Sequence, residues 1–242
     1  MPAVFDPLEL YAAAIDTSDY VGTIAPVVRS HAPAIGPLLD IGAGGGQLGA
    51  ALREPGRPWT AMEPSPTMQR RLRRLPSPPE IVACDWQAAE IAPGAYDTVF
   101  AATMPAFLDQ PLLFLDRCRT WARHAVVWVV PAHAGPRGLC FAGCLPAEWH
   151  GEDETPGIDI VLRALPAALH PHAHATVDWT FTGIVADVAA LASYLADRLG
   201  WSIDDMRRPQ LATRLSAQAT PHAMGSRLCI PRKSAVLVWG NS

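Results

Sequence analysis

Pro37-Leu-Leu-Asp-Ile-Gly-Ala-Gly-Gly-Gly-Gln-Leu-Gly-Ala50 is the stretch of the chain that decides its fold. Leu38, Leu39 and Ile41 predict a buried strand, and the glycines after them predict a tight turn in which the backbone can approach a ligand closely. The residues after the turn predict a helix, whose first N–H groups can bind a polar or negatively charged ligand group. A strand, a glycine turn and a helix in this order are typical of the nucleotide-binding start of an α/β sheet.

Two kinds of nucleotide are compatible with this stretch. Gly44-x-Gly46-x-x-Gly49 satisfies the dinucleotide fingerprint, and Glu63 follows about 20 residues on, where an acid that binds ribose is expected. Asp40, directly before the turn, favours a different ligand. Its carboxylate would repel a pyrophosphate, whereas it can pair with a ligand ammonium.

Leu39-Asp-Ile-Gly-Ala-Gly-Gly-Gly46 resembles the first motif of the class I S-adenosylmethionine (SAM)-dependent methyltransferases. The resemblance implies that Asp40, Gly42, Gly44 and Gly46 bind the methionine end of the cofactor, which carries an amine and no phosphate. It covers roughly residues 35–134 and, more loosely, the C-terminal strand.

Residues at the ends of the later predicted strands extend this resemblance. It implies that Glu63 binds both ribose hydroxyls, that Asp85 accepts from the adenine amino group and that Trp86 packs on the adenine ring. Thr103 and His133 follow two further strands, and all these ends are expected at one edge of the sheet, where ligands bind. The strands concerned are Trp59–Glu63, Glu80–Asp85, Tyr96–Thr103 and Ala125–Val130.

The resemblance implies an α/β fold: a seven-stranded, mostly parallel sheet with helices on both faces. Ala175–Phe181 is the predicted sixth strand, and Ser234–Trp239 the last, inserted antiparallel between the fifth and the sixth. We expect a single methyltransferase domain with four parts: an N-terminal helical lid (1–34), the cofactor-binding core (35–134), a cap with the sixth strand (135–225) and the C-terminal strand (226–242).

Outside the strands, helical periodicity and capping residues place the remaining elements. Ser18 is the predicted N-cap of the second lid helix, from which Tyr20 either contacts the cofactor or packs on the core. The predicted helices are Pro7–Ile15, Ser18–Ser30, Ser65–Leu75, Pro105–Arg123, Pro156–Leu169, one from its cap Asp187 to Leu199, and one from its cap Ser202 to about Gln218; Pro131–Gly138 is a predicted loop.

Composition argues against several classes of protein. The net charge of −4 disfavours a nucleic-acid or anionic-membrane partner, and no apolar run approaches the ~20 residues of a membrane span. The N-terminus lacks the features of a signal peptide, and five cysteines without paired spacing fit a reducing cytosol, so a cytoplasmic location is expected. We expect a monomer or a homodimer.

The chemistry of the site is expected to require little of the protein, because a sulfonium methyl group is already activated and in-line positioning provides much of the rate. Ala101-Ala-Thr-Met-Pro-Ala106 stands where an Asn/Asp-Pro-Pro-Tyr motif would indicate amino methylation, and it resembles the small-molecule branch of the family. His133 is the candidate general base, with His150 as an alternative, and His124 is interpreted as structural.

Three interpretations of function follow. The first is transfer of a methyl group from SAM to an O-, N- or C-nucleophile of a small organic acceptor. The second is a SAM-binding accessory or regulatory protein without transfer activity, and the third is a nicotinamide oxidoreductase. His170-Pro-His-Ala-His174, Cys140 and Cys144 suggest a metal cluster, but their spacing suits a loop and a helix turn, so no metal is expected.

Overall fold

The protein contains an eight-stranded sheet in a computed structural model that describes residues 5–137 and 140–240. Its strands are, in chain order, β1 (Leu38–Ile41), β2 (Trp59–Met62), β3 (Glu80–Val82), β4 (Tyr96–Ala102), β5 (Ala122–Pro131), β6 (Ala173–Val185), β7 (Thr220–His222) and β8 (Gly225–Gly240). The predicted lid, loop, cap and C-terminal segment include residues 1–4, 138–139 and 241–242, which lie outside the described residues.

The sheet is mostly parallel, and its last strand lies antiparallel between the fifth and the sixth, as predicted. The strands follow one another as β3-β2-β1-β4-β5-β8-β6, and the short β7, which was not predicted, pairs with β8. The first five strands are parallel, and β8 runs antiparallel to β5 and lies between β5 and β6. Since the order reverses at β1, the crevice beyond the carboxyl ends of β1 and β4 is where such a sheet binds its ligand.

The helices follow the capping signals in most places. Asp6, Ser65 and Asp187 accept hydrogen bonds from the first N–H groups of α1, α4 and α8. The α-helices of the described residues are α1 (Pro7–Thr17), α2 (Tyr20–His31), α3 (Gln47–Leu52), α4 (Pro66–Leu72), α5 (Pro111–Trp121), α6 (Ala147–His150), α7 (Gly157–Ala164), α8 (Val188–Arg198) and α9 (Arg207–Gln218). None of them has the length and apolarity that a bilayer crossing requires.

Prolines divide two of the predicted helices. The predicted helix from Pro105 begins as a 3-10 turn that ends at Leu108, and α5 starts anew at Pro111. Likewise, α7 ends before Pro166, and a separate 3-10 turn follows. Proline removes an N–H donor and disfavours the helical conformation in the residue before it, so each break has a local cause.

Two predicted caps, Ser18 and Ser202, were wrong. Ser18 ends α1 instead of starting α2: its hydroxyl donates to the Ala14 carbonyl at 2.7 Å and accepts from the Thr182 N–H at 2.8 Å. Ser202 lies in a turn, and α9 begins five residues later, where the Asp205 carboxylate accepts the Arg207 N–H at 2.9 Å. In both cases the observed hydrogen bond differs from the capping bond that the sequence pattern predicts.

The described residues fall into two compact units. The larger unit is made of residues 21–133, 155–178 and 233–240. It contains the glycine turn and the ends of the strands where the ligand is expected. The smaller is made of residues 5–20, 134–137, 140–154 and 179–232, and contains α1, α6, α8, α9 and β7. The two helices of the predicted lid thus belong to different units.

Candidate active site

The glycine turn after β1 has the backbone that its sequence requires. Gly42, Gly44 and Gly46 all have positive φ, at +63°, +55° and +79°. A Cβ on Gly42 would stand 2.9 Å from the Phe107 ring, and one on Gly46 would stand 2.6 and 2.9 Å from the side chains of Leu72 and Leu75, at the end of α4 and just beyond it. A Cβ on Gly44, by contrast, would meet nothing within 4 Å. Of these three positions, Gly44 therefore presents its backbone to open space, as a ligand-binding turn needs.

Glu63, at the end of β2, accepts a hydrogen bond from this turn. Its carboxylate is buried, and its Oε2 accepts the Gly44 N–H at 2.8 Å, while its Oε1 accepts the Ser65 N–H at 2.8 Å. The Gln69 side chain donates to the Glu63 backbone carbonyl at 2.9 Å. Each carboxylate oxygen has two acceptor sites, so each keeps one for a further donor. The bond between Glu63 and Gly44 was not predicted, because nothing in the sequence links the two residues.

Asp40 is a buried carboxylate at the end of β1. Asp40 is 3% exposed, and no group of the described residues donates a hydrogen bond to its carboxylate. Burial, followed by the negative charge of Glu63, raises the pKa of Asp40 from 3.8 to about 7. An unpartnered buried carboxylate is unfavourable by itself, so this site suits a ligand that brings a positive charge.

The acid expected on the adenine ring lies farther from its strand than predicted. β3 ends at Val82, so Asp85 lies three residues beyond the end of the strand. Asp85 is exposed, and its Oδ1 accepts the N–H groups of Gln87 and Ala88 at 2.9 and 2.8 Å. Trp86 is 6% exposed and packs edge-on against Phe114, with ring centroids 5.2 Å apart. Most of its ring is thus part of the core.

The end of β4 has an unusual backbone. Thr103 has a φ of +54°, which is uncommon for a residue with a branched side chain, and its N–H donates to the Val129 carbonyl at 3.0 Å. Met104 follows it, is 37% exposed and lies 3.0 Å from the position of a Cβ on Gly42. Backbone strain of this kind is common where a side chain must face a ligand, and it occurs here beside the glycine turn.

His133 is held by the backbone of β8. Its Nδ1 lies 2.9 Å from the Lys233 carbonyl oxygen and 3.1 Å from the Lys233 nitrogen. If Nδ1 carries the proton and donates to the carbonyl, Nε2 is the basic atom; if Nδ1 accepts the Lys233 N–H, Nε2 carries the proton. A general-base role for His133 requires the first tautomer.

Tyr20 is placed by contacts within the smaller unit. It is 2% exposed, and its ring packs against Trp179 with centroids 4.5 Å apart. The predicted contact with a cofactor stays a prediction. The same unit has an open groove of about 560 Å³ between α6 and α9, lined by Trp149, Pro209, Gln210, Thr213, Arg214 and Ala217.

Four other histidines lie close to groups of the surrounding fold. His170 Nε2 lies 3.1 and 3.2 Å from two carbonyl oxygens at the end of α7, and His172 Nδ1 accepts the Gly240 N–H at 2.9 Å. His124, at the opposite edge of the sheet, lies 3.7 Å from Asp97. His150 lies 3.2 Å from Glu154. Over residues 5–137 and 140–240, no three His, Cys, Asp or Glu side chains are grouped to hold a metal ion.

Comparisons with known proteins give a family match and solved structures of similar fold. Residues 39–127 match the family model described as a methyltransferase domain, which runs from β1 into β5. The comparison with curated proteins finds no match.

Solved structures share the fold at low sequence identity. A protein described as a methyltransferase from Bacillus halodurans C-125 has a TM-score of 0.55 and 11% identity, over 89% of this chain and 97% of that one. The YcgJ protein from Bacillus subtilis has a TM-score of 0.54 and 13% identity, over 90% and 97%. The [4+2]-cyclase SpnF has a TM-score of 0.51 and 16% identity, over 90% and 79%.

Proposed function

We propose that this chain is a class I SAM-dependent methyltransferase that transfers a methyl group from SAM to a small organic acceptor; the family match of residues 39–127 and the shared fold support this. The observation that carries the proposal is the pair of buried carboxylates, Asp40 and Glu63, at the ends of neighbouring parallel strands. The Asp40 carboxylate has no hydrogen-bond donor. The Glu63 carboxylate holds the glycine turn and keeps free acceptor sites.

The residues fit the cofactor at both of these points. Asp40 would pair with the ammonium of the methionine end, which would offset the unfavourable burial of its charge. Glu63 would accept both ribose hydroxyls with its remaining acceptor sites while it keeps the Gly44 turn in place. A dinucleotide would instead bring a pyrophosphate towards two buried carboxylates, which is electrostatically unfavourable.

Three further residues have proposed roles at the adenine and at the acceptor. Asp85 has one carboxylate oxygen outside its turn hydrogen bonds, and this oxygen would accept from the adenine amino group. Trp86 would contribute the small exposed part of its ring to the adenine wall. Thr103, in its strained conformation beside the glycine turn, would face the cofactor.

When bound, SAM would supply a methyl group on a sulfonium, which an acceptor lone pair attacks as the carbon–sulfur bond breaks. The chain's part is to hold donor and acceptor in line. His133, with its Nδ1 proton on the Lys233 carbonyl, would take the acceptor proton at Nε2. Apolar residues before Thr103, where an Asn/Asp-Pro-Pro-Tyr motif would indicate amino methylation, support a small acceptor over a polymer.

A SAM-binding protein without methyl transfer is the second candidate. The observation that favours it is the fold shared with a protein described as a [4+2]-cyclase, because the same sheet then serves another reaction. The contact between His133 Nδ1 and the Lys233 N–H also permits the tautomer in which Nε2 carries the proton and cannot act as a base.

Incubation of the purified protein with methyl-labelled SAM and a small-molecule cell extract distinguishes the candidates. We expect label in a low-molecular-mass product, and loss of that label with Asp40→Asn. Saturable SAM binding without any labelled product, in extracts that support other methyltransferases, would favour the second candidate.

A further inference from the structure

The indole of Trp59 lies under the glycine turn and the start of α3. Trp59 is the first residue of β2, and it is 6% exposed. Its Cη2 lies 3.4 Å from the position that a Cβ on Gly46 would take, and its Cζ2 and Cε2 lie 2.7 and 2.8 Å from that of a Cβ on Gly49. The ring therefore occupies space that these two glycines leave open.

The Nε1–H group of this indole is buried and has no hydrogen-bond partner in the described residues. This is unusual, since buried donors are almost always paired. Trp239 shows the ordinary case in the same unit: its Nε1 donates to the Leu169 carbonyl at 2.7 Å. The unpaired donor of Trp59 thus requires an explanation that its packing does not provide.

The Asp40 carboxylate is an acceptor without a donor that lies close to this indole. Asp40 Oδ2 and Trp59 Cε2, the atom bonded to Nε1, both stand against the position of a Cβ on Gly49. A buried donor without an acceptor and a buried acceptor without a donor therefore flank one point of α3. The indole is held by its surroundings, whereas the short aspartate side chain can close the gap by rotating about its own bonds.

We propose that Trp59 is a positioning residue of the cofactor site, and that its Nε1–H donates to the charged form of the Asp40 carboxylate when the cofactor ammonium is bound. The inference rests on the proposed function. The hydrogen bond would favour the charged carboxylate, against the burial and the Glu63 charge that disfavour it. Trp59 would thereby act through Asp40 without touching the cofactor itself.

The test is calorimetric titration of SAM into Trp59→Phe between pH 6 and 8.5. Phenylalanine keeps an aromatic ring and removes the N–H, so we expect binding about tenfold weaker at pH 8 and a pH profile displaced upward. In an Asp40→Asn background the same substitution should have no further effect. Trp239→Phe is the matched control: it also loses an indole N–H, and SAM affinity and its pH profile should stay unchanged.

A second measurement uses the unaltered protein. In protein with nitrogen-15-labelled indoles, Trp59→Phe identifies one of the eight tryptophan N–H signals. We expect the Trp59 signal to move downfield on SAM binding in wild type and to stay in place in Asp40→Asn. If wild type binds SAM while this signal and the pH profile of Trp59→Phe do not respond, the inference is wrong and the proposed function stands. If wild type binds no SAM, the proposed function itself is wrong.

Discussion

The Glu63 carboxylate accepts the backbone N–H of Gly44 at 2.8 Å, so the end of β2 fixes the shape of the turn that follows β1. The two residues are 19 positions apart in the chain. One side chain thereby has two tasks in the proposed site: it orders the turn that receives the methionine end, and it accepts the ribose hydroxyls.

Glu63→Ala should weaken SAM binding by tenfold or more and also lower the stability of the cofactor-free protein. The first effect follows from the loss of charge-assisted hydrogen bonds to ribose, and the second from the Gly44 and Ser65 N–H groups left without their acceptor, at a cost of about 1–3 kcal/mol. Calorimetry and denaturant titration measure the two effects. Glu80→Ala, an exposed acid at the start of β3, is the control and should change neither.

Asp40→Asn should stabilise the cofactor-free protein at neutral and alkaline pH. Between about pH 4 and pH 7 the folded protein keeps a proton on Asp40 that the unfolded chain releases, so wild-type stability falls as pH rises through this range. Asparagine does not ionise, so the variant lacks this loss of stability. The difference between the unfolded and folded pKa of Asp40, 3.8 and about 7, limits the gain in the free energy of unfolding to about 4 kcal/mol above pH 7. Denaturant titrations from pH 4 to 8 measure it. Parallel stability curves for wild type and variant would contradict the assignment of a raised pKa.

Gly49→Ala should damage the site from within α3. A Cβ there would stand against Asp40 Oδ2 and 2.7 Å from the Trp59 ring, so we expect a loss of about 1–3 kcal/mol in stability together with weaker SAM binding. Gly22→Ala is the matched control, since it lies in helix α2 with nothing within 4 Å of its Cβ position. It should gain about 0.5–1 kcal/mol and bind SAM normally. Equal behaviour of the two variants would show that the close packing at Gly49 has no role.

His133→Ala should lower kcat by about 10²–10⁴ and leave SAM affinity unchanged, if His133 takes the acceptor proton. Steady-state kinetics with an identified acceptor, together with calorimetry, separate the two quantities. His124→Ala removes an exposed histidine at the start of β5 and should have no effect on either. A His133→Ala enzyme with nearly full turnover would mean that positioning alone suffices or that another group accepts the proton.

The sheet could be predicted from the sequence because its signals are local and repeated. Buried strands followed by a glycine turn or an acid recur at regular spacing, and each places a polar side chain at the same edge. Two helix starts were predicted wrongly, at Ser18 and Ser202. Ser18 accepts from Thr182, a partner that tertiary structure sets and a capping pattern cannot identify. Near Ser202, Asp205 makes a local hydrogen bond to Arg207, and the helix begins there instead.

The site could be predicted as a set of residues, but not as a set of contacts. Asp40 and Glu63 were found because each lies at the end of a strand. The hydrogen bond from Gly44 to Glu63, the unpaired carboxylate of Asp40 and the indole of Trp59 beneath Gly49 have no counterpart in the sequence pattern. They depend on which side chains the parallel register of β1 and β2 brings together, with Asp40 opposite Ala61.

Calorimetric titration of the wild-type protein with SAM and with NAD, at pH 6 and pH 8, tests the central claim most directly. We expect SAM to bind about tenfold more tightly at pH 8 than at pH 6, because the cofactor ammonium pairs with ionised Asp40 and the pKa of Asp40 is about 7; we expect no NAD binding at either pH. NAD binding without SAM binding would contradict the central claim.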